Sequence, residues 1–385
     1  MKILHTADWH LGRTFKGYPL LNEQRYVLEQ IVELIRLHKP DVLLIAGDVY
    51  DRSVPPAEAV ALFNEIIAEI VLNQETSIIA IAGNHDSAER LNYAQGILGR
   101  QNFHIFGSFQ LPVPKVVLAD IFGKVHFYCV PYIEPEQMRQ LVPDQTFKTH
   151  QEVMQYIVDE ITAQHPEGER AVFVGHSFII GGEVSESERQ IVSVGGSECI
   201  AAELFAPFHY TALGHLHARQ SFLNGKVRYS GSVFKYSFSE VLHEKSVTLL
   251  NMDGNGDCKF EFLPLIPQND VLRVKGRIIE NKFVLSDENK VQPKDSDFLE
   301  VLLENDEIVL NAMQIVQKKF PNTLSLPINR TYFSQKSTPA LETFQQITEI
   351  ELFRDFYKKI NGKELDPDKE SFLKEAIKQA KADEE

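Results

Sequence analysis

Cysteine is scarce in this chain: three in 385 residues, at Cys129, Cys199 and Cys258, odd in number and widely scattered. That excludes a disulfide framework and fits reduced core thiols of a cytoplasmic protein. No run of about 18 apolar residues occurs, the length a bilayer-spanning helix needs. Met1 leads directly into the strand-like KILHTA, without the basic start and apolar core of a secretory leader, so no leader is expected. Positive charge is also short. Lys+Arg number 39 against 54 Asp+Glu, for a net charge of −15. The deficit is uneven, −12 over residues 1–271, +1 over 272–340 and −4 over 341–385. A protein that grips nucleic acid by its own surface normally carries a basic footprint. If the substrate is a polyanion, bound cations, a local patch or a partner must supply much of the affinity. Hydrophobic content of 43% and charged content of 24% are those of an ordinary soluble protein. The length exceeds one hydrophobic core, so two or more domains are expected.

What is present is a series of ligand-rich clusters in fixed order. Asp8-x-His10 comes first, then Gly47-Asp48, Gly83-Asn84-His85-Asp86, Gly175-His176 and Gly214-His215-x-His217. Each follows an apolar, strand-like run (KILHTA, VLLIA, SIIAIA, AVFVG, HYTALG). The polar residues therefore fall where strands end and loops begin, the edge at which α/β sheets build their chemistry. Two divalent ions about 3.5–4 Å apart clamp the attacking and leaving oxygens of a phosphoryl displacement. Such a pair needs a carboxylate to bridge it, which imidazole cannot do, and Asp48 is the natural bridge. Carboxylate, imidazole and amide donors suit manganese, iron or zinc better than calcium, and no cluster contains the cysteine of a structural zinc site. Taken singly, each cluster is also a turn after a buried strand, since Asn and Gly tolerate positive φ. Five in order make a metal centre the better account. The other eight histidines (5, 38, 104, 126, 150, 165, 209 and 243) lie outside the clusters and are expected at the surface or satisfied in the core.

These motifs resemble those of the calcineurin-like metallophosphoesterases, and the fuller forms ADWHLG, GDVYD, GNHDS and GHLH are similar to the SbcD branch of that family, nuclease subunits that work with a coiled-coil ATPase. The resemblance implies a four-layer α/β/β/α sandwich, a small α/β capping domain and a helical tail. It implies that Asp8, His10 and His217 hold one metal and Asn84, His176 and His215 the other, with Asp48 shared and manganese the expected ion. His85 is then no ligand, but the acid that protonates the leaving oxygen or a group that stabilises the transition state. Asp51 stands where other branches carry histidine, and is expected to orient His85 by a hydrogen bond. The implied activity is hydrolysis of DNA phosphodiesters, exonucleolytic on double-strand ends and endonucleolytic on single strands and hairpins, in repair, replication and recombination. A small-substrate or phosphoprotein phosphatase using the same site, and a non-catalytic DNA-end scaffold, are the competing functions. The implied assembly is a homodimer within a heterotetramer with an SbcC-type ATPase, cytoplasmic and nucleoid-associated. Leu21, Tyr26 and a helix at Tyr93-Ala94-Gln95 are candidates for the dimer contact.

The pattern along the chain divides into three: residues 1–267, 268–340 and 341–385. In the first, apolar residues at helical spacing predict helices over 22–38 and 57–72, the second opened by Pro55-Pro56. Alternation with strand-like runs predicts two stacked mixed sheets flanked by helices. Asp253-Gly-Asn-Gly-Asp257 predicts a hairpin turn, because a calcium loop needs a downstream glutamate that is missing. Residues 270–330 predict a small α/β unit. There Arg273, Lys275 and Arg277 alternate along one strand, either as a positive face for DNA or as charges guarding an edge strand. In the tail, Phe344, Ile347, Ile350, Phe353, Phe356 and Tyr357 mark a helix, ended at Asn361-Gly362. A second helix opens after Asp366-Pro367. The pair either docks on the partner ATPase or packs back on its own domain.

Overall fold

Runs of three to eight residues assemble into two six-stranded sheets. The computed structural model describes residues 1–188, 198–305 and 309–327, with Phe353, Arg354, Tyr357, Asp366 and Glu370. It separates into two units, Met1–Pro327 and Ile328–Glu385. The first sheet runs in the order Cys258–Pro264, Ser246–Met252, Lys2–Thr6, Val42–Ala46, Ser77–Ile81, Phe103–Phe106. Its last four strands are parallel. The second runs Gln220–Phe222, Val227–Tyr229, Tyr210–Gly214, Arg170–His176, Gly123–Val130, Lys115–Asp120, with four parallel strands at its centre. Val42–Ala46 and Arg170–His176 are buried along their whole length. Parallel strands covered on both faces read as continuous apolar runs, as these do.

Three apolar layers hold four layers of structure together. Leu4, Leu43 and Ile45 on the outer face of the first sheet pack with Ile31 and Ile66 of the helices Leu21–His38 and Ala57–Asn73. Ile3, Leu44, Ile79, Phe127, Val172 and Ala212 fill the space between the sheets. Phe173 and Leu213 of the second sheet pack with Ile157 of the helix His150–Gln164. The expected α/β/β/α sandwich and both expected helices are present. Leu21–His38 ends where Lys39 turns left-handed at φ 48, ahead of Pro40.

The 253–257 segment is a hairpin turn. The Asp253 N–H donates to the Asp257 carbonyl at 3.0 Å, and the Asp253 Oδ1 accepts from the Asn255 and Asp257 N–H groups at 2.9 and 3.0 Å. Cys129 is buried, whereas Cys199 and Cys258 are half-buried, so only the first is a core thiol; all three are unpaired. Tyr93-Ala94-Gln95 is not one helix. Ala94 sits at φ 58 and divides Ala88–Leu91 from Gln95–Leu98. Among the described residues, no helix is long and apolar enough to cross a membrane.

Residues 271–325 form their own sheet, in the order Lys282–Leu285, Val271–Ile279, Phe298–Leu303, Thr323–Ser325. Val274, Leu299 and Val301 pack on Ile315 and Val316 of the helix Ala312–Gln317. The strand carrying Arg273, Lys275 and Arg277 is interior to this sheet, so its charges guard no edge, and each stands beside a glutamate. Register sets Glu300 opposite Arg273, and the two pair at 2.5 Å. Lys275 pairs with Glu288 at 3.1 Å and Arg277 with Glu304 at 3.5 Å. The face is a ladder of ion pairs with little net charge. In the second unit, Phe353, Arg354, Tyr357 and Glu370 are helical, Arg354 pairs with Glu370, and the Phe353 and Tyr357 rings stack with centroids 6.5 Å apart. The remainder of the two expected tail helices, and the division near residue 340, lie outside the described residues.

The two sheets meet where Val42–Ala46 and Tyr210–Gly214 end. A Cβ on Gly214 would lie 1.9 Å from the Ala46 carbonyl oxygen. Gly214→Ala is therefore expected to destabilise the fold by about 1–3 kcal/mol as the sheets move apart, measurable by chemical denaturation. At the opposite end, the Asp120 carboxylate binds Arg170 at 2.5 and 3.0 Å and the Met1 ammonium at 2.7 Å. Arg170 holds that carboxyl well below the usual range. A depressed folded-state value contributes stability that is complete above about pH 4, the unfolded aspartate value, and is lost as pH falls through the folded one. Asp120→Asn is expected to cost roughly 3 kcal/mol near neutrality. The difference from wild type should stay constant from pH 8 to about pH 5 and narrow only below about pH 4.

Candidate metal centre

The chain's five ligand clusters converge because their strands run parallel and end on the same side. Lys2–Thr6 leads to Asp8 and His10, Val42–Ala46 to Asp48, and Ser77–Ile81 to Asn84 and His85. In the second sheet Arg170–His176 ends on His176, and Tyr210–Gly214 leads to His215 and His217. Asp8, His10 and Asp48 take left-handed backbone angles (φ 54, 45 and 49), and His215 has φ 107. Such conformations cost on the order of 1–3 kcal/mol each and persist only where the surroundings impose them. Here the first two loops are zipped together. The Asp8 N–H donates to Gly47 O at 3.1 Å, His10 N–H to Asp48 O at 2.9 Å and Leu11 N–H to Val49 O at 2.9 Å. The buried Gln24 amide clamps the carbonyls of Trp9 and His10 at 3.1 and 2.7 Å. Asp86 ties the second loop to the third, accepting from the N–H groups of Val49, Tyr50 and Gly83 at 3.0, 2.8 and 2.9 Å.

All seven expected ligands meet at this seam. The His10 and His217 Nε2 atoms are 3.1 Å apart. The Asn84 Oδ1 is 3.0 Å from His176 Nε2 and 3.2 Å from His215 Nδ1. Between these groups lies Asp48. Its Oδ2 is 3.6 Å from His10 Nε2 and 3.4 Å from His176 Nε2, while its Oδ1 accepts the His85 main-chain N–H at 3.0 Å. The division of donors differs from expectation at Asp8. Its carboxylate groups with Asp48 and His176, their ligand atoms lying within 4.8 Å of one another, because His176 at the strand end reaches both of the first two loops. His176 Nδ1 donates to the Ala46 carbonyl at 2.9 Å, which turns its Nε2 to Asp48 and Asn84.

The chemistry of the donor set fits divalent cations. Burial pushes the Asp8 carboxyl well above its usual range, with Asp48 adding to the effect. Burial pulls at Asp48 in the same direction, but the charge and hydrogen bond of His176 and the nearby His10 outweigh it and hold that carboxyl well below. Burial lowers His10 well below the usual imidazole range, His215 to about 3 and His217 to about 4. Three neutral rings, His10, His215 and His217, an ionised Asp48 that, against the pull of burial, raises His176 to about 9, and an Asp8 Oδ2 without a hydrogen-bond partner suit cations better than protons.

His85 and Asp51 are joined, though not through the carboxylate. His85 Nδ1 donates to the Asp51 main-chain carbonyl at 2.8 Å. The Asp51 carboxylate instead pairs with Arg13 at 3.2 Å and lies 3.7 Å from His10 Nδ1. Arg13 also donates to the Ser187 carbonyl at 2.6 Å, and lies 5.2 Å from the centre of the Tyr236 ring. Arg13 and Gln24 belong to none of the ligand motifs yet bear on the site, as do Glu188 and Glu240, which contact His217. Asp86 alone carried a signal, being part of GNHDS. None of the eight other histidines belongs to this donor set; His5, for example, is buried against the Tyr210 hydroxyl at 2.8 Å.

Comparison with known proteins agrees with this architecture. Residues 1–219 match the calcineurin-like phosphoesterase family, and residues 267–361 match a domain described as the type 5 capsule protein repressor C-terminal domain. The chain is 32% identical over 367 residues to the D subunit of the SbcCD nuclease of Staphylococcus saprophyticus, covering 95% of this chain and 94% of that one. Among solved structures, a dimetal phosphatase from Danio rerio is similar at 12% identity and a TM-score of 0.42, over 69% of this chain and 96% of its own. A 5'-nucleotidase precursor from Thermus thermophilus is similar at 17% identity and a TM-score of 0.37, over 69% of this chain and 54% of its own. With two stacked sheets, a carboxylate set between two imidazoles and a family match over more than half its length, the chain belongs to the calcineurin-like phosphoesterases, in the branch of the SbcCD nuclease D subunit.

Proposed function

We propose that the chain is a two-metal DNA nuclease subunit that cleaves phosphodiesters at double-strand ends exonucleolytically and in single strands and hairpins endonucleolytically. The observation that carries this reading is the place of Asp48, one oxygen of which faces both His10 and His176. Asp8, His10 and His217 are assigned to one ion and Asn84, His176 and His215 to the other, with Asp48 between them and Asp8 near enough to His176 to reach either. When bound, the ions, which we take to be manganese, supply Lewis acidity that activates water and offsets charge on the phosphoryl oxygens. The residues do the rest. His85, its Nδ1 committed to the Asp51 carbonyl, presents Nε2 to deliver a proton to the departing ribose oxygen. Asp51 thereby sets the ring's orientation through its main chain, and its carboxylate, held by Arg13, keeps that segment in place.

Partners complete the reading. A net charge of −15 and a cap face of paired charges fit a subunit whose grip on DNA depends on its metals and on an SbcC-type ATPase engaged by residues 341–385. Of the candidate dimer residues Tyr93 is kept and Leu21 and Tyr26 are replaced: pairing of two copies is assigned to an apolar groove of about 750 Å³ lined by Phe63, Ile67, Leu72, Tyr93 and Leu98, where Leu72 and Tyr93 are 77% and 82% exposed. Repair, replication and recombination in the cytoplasm, at the nucleoid, are the corresponding setting.

Two outcomes are expected. His85→Gln should abolish cleavage of an end-labelled hairpin duplex in manganese while binding two Mn2+ with near wild-type affinity in calorimetry; loss of both ions would remove His85 from its non-ligand role. Hydrolysis of small phosphoesters with no DNA cleavage, alone or with the ATPase, would favour a phosphatase instead. Leu72→Glu should shift the protein from dimer to monomer in light scattering, and an unchanged mass would exclude the groove as the contact.

A further inference from the structure

The side of His217 that faces away from the other ligands is enclosed by polar and charged groups, all buried. Its Nδ1 lies 2.8 Å from Ser187 Oγ and 3.2 Å from Glu240 Oε1. Its main-chain N–H donates to Glu188 Oε1 at 2.6 Å, and its carbonyl accepts from Lys245 Nζ at 3.0 Å. Glu240 is 0% exposed, Ser187 7% and Lys245 8%. The hydroxyl of Ser187 donates to the same Glu240 oxygen. Lys245 donates to Glu240 Oε2 at 2.5 Å and to Ser232 Oγ at 2.7 Å. These residues come from three separate stretches of chain, and none falls in a ligand motif.

Hydrogen-bond polarity makes the arrangement directional. A carboxylate only accepts, and the Ser187 hydroxyl has spent its proton on Glu240, so both neighbours of Nδ1 require a proton on that nitrogen. The proton on Nδ1 leaves the Nε2 lone pair directed into the site, towards His10. Metal-bound imidazoles commonly donate their other N–H to a carboxylate, which fixes the tautomer and makes the ring a better donor; removing such a partner typically weakens the metal 10–100-fold.

We propose that Glu240, with Ser187 as its relay and Lys245 as its buried counter-ion, is the positioning residue that sets the tautomer and orientation of His217 and so the affinity of one of the two metal sites. The proposal rests on His217 being a metal ligand. Glu240→Gln alone would strand Lys245 as an unpaired buried charge, so the informative variant is Glu240→Gln/Lys245→Met, which removes both charges at similar volume. The full chain, stripped of metal, is titrated with Mn2+ while the free ion is followed by electron paramagnetic resonance, and its thermal midpoint is recorded without metal. Wild type is expected to bind two ions, and His217→Ala to lose one site. The double variant should melt close to wild type yet bind at that same site 10–100-fold more weakly. Wild-type affinity at both sites, or equal weakening of both, would reduce Glu240 to a structural charge and overturn the proposal. Should the double variant not fold, Ser187→Ala decides, because it leaves every charge paired. Weakening of the His217 site supports the relay, and unchanged affinity refutes it. His217→Ala still binding two ions at wild-type affinity would separately overturn the ligand assignment beneath it.

Discussion

The rest of the structure depends on burying ionisable groups at the seam between two sheets. Asp8, His10, Asp48, His176, His215 and His217 are each 5% exposed or less. An isolated buried charge costs far more than a fold of this size can spare, so the donors must answer to one another or to cations. The opposing shifts of Asp8 and Asp48 show how far the protein's own groups go: the imidazoles stabilise one carboxylate and leave the other unmatched. The left-handed backbone at Asp8, His10 and Asp48 is the main-chain side of the same constraint, since all three lie in the loops that carry these side chains to the seam.

Around that seam the packing serves position. Glycines at 47 and 214 stand where a Cβ would meet His176 or the Ala46 carbonyl, so the loops of one sheet close directly on the strands of the other. Asp86 ties two loops together, Gln24 clamps the first, and the Glu240 network backs His217. Phe238, two residues before Glu240, offers its carbonyl to Arg273 at 3.3 Å, so the segment that carries Glu240 also touches the first strand of the small sheet.

Much of this is legible in the sequence. Parallel strands buried on both faces announce themselves as VLLIA and AVFVG, and the residue that follows such a run falls at a sheet edge, which is why the proposed ligands can be read from order alone. Helix 57–73 is legible from its proline start and its apolar spacing. Partnership is what a linear pattern hides. Arg273, Lys275 and Arg277 look like a cationic face until register sets Glu300 beside Arg273. Asp51 looks like a carboxylate partner for His85, but the bend in which it sits presents its carbonyl instead. Glu240 and Lys245 look like surface residues in a polar stretch, yet they are buried because the chain folds them against a histidine more than twenty residues upstream. The Tyr93 helix fails for a local reason: a single left-handed alanine divides it.

The most direct test of the account is anomalous diffraction from crystals of the chain grown with Mn2+. Two peaks about 3.5–4 Å apart are expected, one against His10 and His217, the other against Asn84, His176 and His215, with an Asp48 oxygen within bonding distance of both. A single peak, or two peaks that Asp48 does not join, would contradict it.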